Sequence, residues 1–279
     1  MKITNECYDC LGRLVHQAAD LATEDPVIKS KAIEEGLRLL EREFSLDKTS
    51  IAVATPLHQL IRSMTGNPDP YFKMKETEVA MSRKLYQEWN TSAQDDLRSD
   101  IELAVRGNCI DFFRDPDEIK KDFTQPVEFT IDDIDKLEAK LKESKNILYL
   151  ADNTGEVFFD LNLVRRFGSF GNVTYVVKES PVQNDITLSD IGHFGFASEL
   201  PRVITTGTNT PGVIMEEASD EFKSDFAAAD LVLAKGMGYW ETLSELPAQG
   251  KVFYLLKAKC QPVANSIGVP FNSYVALMR

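Results

Sequence analysis

What this chain has little of narrows it first. Only three histidines and four cysteines occur in 279 residues. So few thiols do not make a disulfide scaffold, and Cys7, Cys10, Cys109 and Cys260 read as free thiols or ligands. No stretch approaches the roughly 18 consecutive apolar residues that a membrane span needs. The opening Met1 to Glu6 also lacks the apolar region of a signal peptide. A cytoplasmic protein with no membrane partner is therefore expected. Basic charge is scarce as well: 31 Lys and Arg face 44 Asp and Glu, for a net charge of -13. Such a surface repels nucleic acid and anionic lipid at long range, which leaves a small molecule as the expected partner. There is no internal repeat and no low-complexity tract.

What is present has two characters. With 43% hydrophobic and 27% charged residues the composition is that of a globular protein. Up to about Phe113 the apolar spacing is helical: Leu11, Leu14, Val15, Ala18 and Leu21 mark one amphipathic helix, and Ile33, Leu37 and Leu40 a second. Leu57 to Met64 mark a third that ends at Gly66, and further helices are expected over Met74 to Asn90 and Asp95 to Phe113. Gly66 to Pro70, with two close prolines, must be a loop. An acidic segment from Asp115 leads through Pro126 to a predicted helix over Ile131 to Glu143. Beyond it, apolar runs at Ile147 to Ala151, Val173 to Val177, Arg202 to Thr205, Leu231 to Ala234 and Val252 to Leu256 alternate with segments long enough for crossovers. The expectation is an α/β fold, a three-layer mostly parallel sheet, with residues 126–279 forming the metal- and phosphate-binding domain and residues 1–125 an N-terminal helical subdomain.

Polar clusters fall just after these runs, where an open α/β sheet binds its ligand. Asp152 and Asn153 follow the first, Asn184 and Asp185 lie a little beyond the second, Gly207 to Pro211 follow the third, and Lys235 and Gly236 follow the fourth. Carboxylate and amide oxygens with no histidine or thiolate nearby in sequence favour a hard or borderline divalent ion such as magnesium or manganese. Such an ion would polarise a phosphoryl oxygen and lower the pKa of water. The helix expected after Gly155 would turn its N-terminal amides toward an anion, and Lys235 with Gly236 would hold the phosphate from the other side. Each cluster also has a plainer reading: the Asp-Asn turn as an N-cap, Asp185 as a cap for a helix at Ile186 to Ile191, and Lys235 as a turn residue. Recurrence after successive strands is what favours a site. Of the histidines, His58 alone lies on a helix leading into a candidate loop.

These residues carry a resemblance. Asp152-Asn153-Thr154-Gly155-Glu156, PVQND at Pro181 to Asp185, TGTNTPG at Thr206 to Gly212, KGMGYWETL at Lys235 to Leu243 and KAKC at Lys257 to Cys260 resemble the metal-dependent damage-control phosphatases, once a domain of unknown function. GNPDPY at Gly66 to Tyr71 and RGNCID at Arg106 to Asp111 resemble that family's helical part, and Cys7 and Cys10 place the chain nearest its microbial Cys-x-x-Cys branch. The resemblance implies hydrolysis of small phosphate esters, such as sugar phosphates or damaged phosphometabolites, with manganese, magnesium, cobalt or nickel as the divalent ion. Asp152, Asn153 and Asp185 would hold the ion and Lys235 the phosphate. Glu156, Asn184, Gly236 and Asp69 would contact substrate, Asp69 by presenting a group to a sugar hydroxyl. Thr154 and Met237 depart from the family's usual residues. Two other functions remain in view: a methyltransferase using S-adenosylmethionine, which would want a more glycine-rich first turn, and a non-catalytic metabolite-binding protein. Within phosphatases, direct attack by Asp152 would call for a second aspartate two residues on, where Thr154 stands. Cys7 and Cys10, on one helix face, and Cys260 are either small buried apolar groups or a second metal or redox site.

Overall fold

Strands of this chain alternate their side chains between two helical layers, and that alternation organises the molecule. The computed structural model describes residues 1–89, 95–110, 119, 121 and 123–279. The helical half comprises α1 (Glu6–Ala22), α2 (Pro26–Glu43), α3 (Ser50–Thr65), α4 (Phe72–Trp89) and α5 (Leu97–Gly107). Their starts are chemically marked. Asp25 accepts from the amides of Val27 and Ile28 with Pro26 in the first turn, Thr49 accepts from Ala52, and Asp96 accepts from Ser99. The expected helix over Asp95 to Phe113 stops at Gly107; residues 111–118, including the Asp115 segment, lie outside the described residues, as does Asn90.

Seven strands follow in the spatial order β1-β7-β6-β5-β2-β3-β4. They are β1 (Phe129–Asp132), β2 (Asn146–Leu150), β3 (Asn172–Val177), β4 (Arg202–Thr205), β5 (Leu231–Lys235), β6 (Val252–Lys257) and β7 (Tyr274–Met278). Between them run α6 (Ile134–Glu143), α7 (Val157–Gly168), α8 (Leu188–Phe194), α9 (Asp220–Ala228), α10 (Met237–Leu243) and α11 (Gln261–Ile267). Strands β2 to β6 pair in parallel, while β7 runs antiparallel to β6 and carries β1 beside it. The helix predicted from Ile131 is corrected at its start. Ile131 and Asp132 belong to β1, paired with Val275 and Ala276, and the helix begins at Ile134. Strands β1 and β7 were not legible as strands: the edge strand β1 pairs only with β7, about 145 residues away, and β7 lies between β1 and β6.

Ile147, Tyr149, Val173, Tyr175, Leu231, Leu233, Phe253 and Leu255 point to one face, where Val79 of α4 and Ile101, Ala104 and Val105 of α5 join α6, α7 and α8. Leu148, Leu150, Val176, Val232, Ala234, Tyr254 and Leu256 point to the other, against α9, α10 and α11. Helices α1 to α3 enclose a core of their own, including Val15, Ala19, Ala32, Leu40, Leu57 and Ile61. Chain order reverses between β2 and β5: from β2 the chain steps outward through β3 to β4, then returns to β5 on β2's opposite side. The turns after β2 and β5 therefore face each other across a topological switch point, where ligands of such sheets bind.

Candidate metal and phosphate site

Three side chains converge at this switch point from two turns. Asn153 and Asp185 form an isolated antiparallel bridge between the turns after β2 and β3. The Ile186 amide donates to the Asp152 carbonyl at 3.0 Å and the Thr154 amide to the Asn184 carbonyl at 2.9 Å. This backbone lacing sets Asp152, Asn153 and Asp185 side by side. Gln183 has φ of 46°, a left-handed conformation rare outside glycine, immediately before Asn184 and Asp185. Across the switch point, Gly236 at φ 79° leaves the room that Asp152 occupies, since a Cβ there would fall inside the carboxylate.

The electrostatics are those of crowded oxygens. Asp185 is pushed up to about 6 by burial, only partly offset by the ammonium groups of Lys178 and Lys75. Asp152 is raised well above the carboxylate range by burial, then by Glu156 and Asp185, with Lys259 and Lys235 pulling the other way. Two carboxylates whose ionised forms burial disfavours, with an amide oxygen beside them, suit a divalent cation. Among the described residues no three His, Cys, Asp or Glu side chains gather as a metal-binding group; a set of three here would need the Asn153 amide oxygen.

The three donors open into a cleft of about 520 Å³ between the helical part and the sheet. Asn184, Lys259 and Gly238 share its wall with them, and α1 and α3 close the opposite side with Leu11, Leu14, Ile51 and Ala54. Ser50 of α3 donates to the Glu241 carboxylate of α10, tying the two sides at the rim.

Several expected contacts are not at this wall. Lys235 and Glu156 are fully buried. The Lys235 ammonium donates to the Ala104 carbonyl at 2.8 Å, Glu156 at 2.9 Å and Asp160 at 2.6 Å. All three of its protons are engaged beneath the site. Burial alone would lower its pKa, but Asp160 and Glu156 outweigh that and raise it. Asp69 is not in the cleft either. It accepts from Lys75 at 3.1 Å, and Lys75, wholly buried, also donates to Asp190 at 2.9 Å. That pair braces the loop bearing Asp185 from the helical side. Nor is Asp185 a helix cap: α8 starts later, capped by Thr187 in a capping box with Asp190. The helix expected after Gly155 begins at Val157, behind a single 3-10 turn over Thr154–Glu156. His58 is buried against Tyr71 and lowered to about 4 by burial and then by Arg62; its Nε2 has no partner among the described residues. Cys7, Cys10 and Cys260 all line the cleft and are free thiols.

Four residues with no role assigned from sequence belong here. Lys178, at the carboxyl end of β3, lies 3.6 Å from Asp185; a lysine directly after an apolar strand run was the available signal. Lys259 lines the cleft with an ammonium that has no hydrogen-bond or ion-pair partner among the described residues. Asn108 reaches the site from the end of α5. Glu78 on α4 accepts from the Asn184 amide nitrogen through both carboxylate oxygens, at 3.3 and 3.2 Å. A Cβ on Gly155 would sit 2.7 Å from Ser82 and closer still to Glu78, so α4 packs onto the Asp-Asn turn only because that residue is glycine.

The chain's residues 3–275 match the damage-control phosphatase ARMT1-like domain. The protein belongs to this family. It is 32% identical to a damage-control phosphatase of Pyrococcus horikoshii over 283 residues, covering 99% of this chain and 98% of that one. An uncharacterised protein of Methanocaldococcus jannaschii is 34% identical, covering 100% and 96%. A damage-control phosphatase of Archaeoglobus fulgidus is 30% identical, covering 99% of both. The crystal structure of a P. horikoshii protein of the domain-of-unknown-function 89 family superposes with a TM-score of 0.90 at 32% identity, covering 100% of this chain and 99% of that chain. Family and fold therefore agree with the resemblance carried by the motifs. Among the described residues, no helix is long and apolar enough to cross a membrane.

Proposed function

We propose that this protein is a metal-dependent phosphatase that hydrolyses small phosphorylated metabolites, sugar phosphates or damaged phosphometabolites among them. The observation that carries the proposal is the convergence of Asp152, Asn153 and Asp185 at the switch point, with Lys259, which has no partner among the described residues, in the same open cleft. These three residues would hold a divalent ion, which supplies polarisation of the phosphoryl group and a lowered pKa for water. Lys259, a cation with no partner among the described residues, would meet the phosphate, taking the role expected of Lys235, and its charge already acts on Asp152. Lys178 holds Asp185 in place and offsets part of its charge. The leaving group would lie toward α1 and α3, against Leu11, Leu14, Ile51 and Ala54. Gln183, Asn184 and Gly212 at the wall offer hydrogen-bonding groups to a polar substrate.

The test is phosphate release from a panel of phosphate monoesters by chelator-stripped protein, with manganese, magnesium, cobalt and nickel added back. Activity should vanish on stripping and return to differing degrees with the metals. Full activity in the stripped protein would overturn the proposal.

A further inference from the structure

Glu156 lies under the metal donors with three hydrogen-bond donors around it. Its carboxylate accepts from Asn153 Nδ2 at 2.8 Å, from Asn108 Nδ2 at 2.7 and 2.6 Å, and from Lys235 at 2.9 Å. A carboxylate can only accept, so the nitrogen of Asn153 must be the atom facing it. The amide oxygen of Asn153 is then turned the other way, beside Asp152 and Asp185. A carboxamide that could flip would offer a cation its NH2 group as readily as its oxygen. One that is pinned offers only oxygen.

We propose that Glu156 is a positioning residue that locks the Asn153 amide oxygen toward the metal, and that Lys235 and Asn108 serve to lock Glu156. This rests on the metal site proposed above and adds two roles to it. Lys235 acts on the metal side of the chemistry rather than on phosphate, because its three protons are all engaged and none of it is exposed. Asn108, only 2% exposed and set at the end of α5, makes the helical part a component of the metal site rather than a cover over it. A Cβ on Gly107 would lie 3.3 Å from Glu156 Oε2, so the end of α5 meets the carboxylate through backbone as well as through Asn108.

The experiment is calorimetric titration of chelator-stripped, full-length protein with manganese, with a thermal melt of each variant to establish folding. Asn108→Ala and Glu156→Gln should each weaken manganese binding by about tenfold or more, the range found when the partner of a metal ligand is lost. Asn153→Asp should also bind more weakly than wild type, although a carboxylate is intrinsically the better donor, because it faces Glu156 without a proton to share. Combining Asn153→Asp with Glu156→Gln restores a donor and an acceptor with their roles exchanged, and should recover affinity to within about threefold of wild type. A residue that merely supports the fold would give no such recovery. If Asn153→Asp binds manganese as tightly as wild type, or Asn108→Ala folds and keeps its affinity, the positioning role is overturned while the phosphatase site stands. If wild type itself binds no manganese, both fall.

Discussion

The two sides of the cleft are built from different chemistry. The ends of β2, β3 and β5 and the turns after them contribute charge packed at a density that burial makes unfavourable, with Lys178 paired to Asp185 and Lys235 to Glu156 and Asp160. Helices α1 and α3 contribute Leu11, Leu14, Ile51, Ala54 and the thiols of Cys7 and Cys10. On the function proposed above, the first side would stabilise a phosphoryl group and a cation, and hydrogen bonds fix its geometry. The second can discriminate between leaving groups by shape and polarity. Chemistry and selectivity would then be separable by mutation.

The largest effect expected is on the charged side. Asp152→Ala should reduce phosphate release to that of stripped wild-type protein and remove measurable manganese binding; retention of both would break the comparison at its base. Lys259→Ala should lower turnover by roughly 10² to 10³, as when a preorganised stabilising charge is lost, with manganese affinity intact. That pattern is the reverse of the one expected for Asn108→Ala, so kinetics and calorimetry on the two variants sort phosphate binding from metal positioning.

Acidity should reach the same side. Asp185 titrates at about 6 when folded, above the roughly 3.9 of an unfolded aspartate. The folded state holds this proton more tightly, so the contribution of Asp185 to metal-free stability is full below the unfolded value and is lost as pH rises to about 6. Metal needs the carboxylate, so manganese affinity should fall, toward tenfold per pH unit, as pH drops below about 6. Melting curves with and without manganese between pH 4 and pH 8 would show the two slopes with opposite sign; parallel slopes would contradict it.

On the helical side the effects should be smaller and substrate-dependent. Leu14→Ala should raise KM by roughly tenfold for an ester with a bulky leaving group and leave a small chromogenic ester nearly unchanged. Equal change on both would show that α1 supports the site rather than selects for it. Cys10→Ser, at an exposed position, should shift stability by no more than about 0.5 kcal/mol. A large loss of stability or of bound metal would instead revive a thiol site.

Strands β2 to β6 were legible because each contains an apolar run, largely buried between helical layers except at the edge strand β4, and the positions of Asp152, Asn153, Asn184 and Asp185 followed from the rule that ligands bind beyond strand ends. Strands β1 and β7 were not legible: the short edge strand β1 exists only by pairing with β7, distant in sequence, and β7 lies beyond the last helix as the antiparallel neighbour of β6. The charged stripe Lys75, Glu78 and Ser82 on α4 was equally silent. At helical spacing it reads as a solvated face, yet all three are fully buried, each facing a loop contributed by the other half of the chain.

Local sequence thus determined the elements and the donor types: apolar periodicity set strands and helices, and Asp-Asn-Thr-Gly and Asn-Asp marked turns rich in oxygen. Tertiary structure alone decided which lysine faces the cleft. Lys235 ends β5 and Lys259 stands two residues beyond the end of β6, and neither position by itself shows which ammonium is enclosed. The difference lies in the neighbours. Glu156 in the turn before α7, Asp160 on α7 and the Ala104 carbonyl on α5 surround Lys235, while Lys259 lies beyond the end of β6 at the wall of the cleft. A buried ammonium must find acceptors because desolvation is costly, and only the packing of distant helices determines where those acceptors stand.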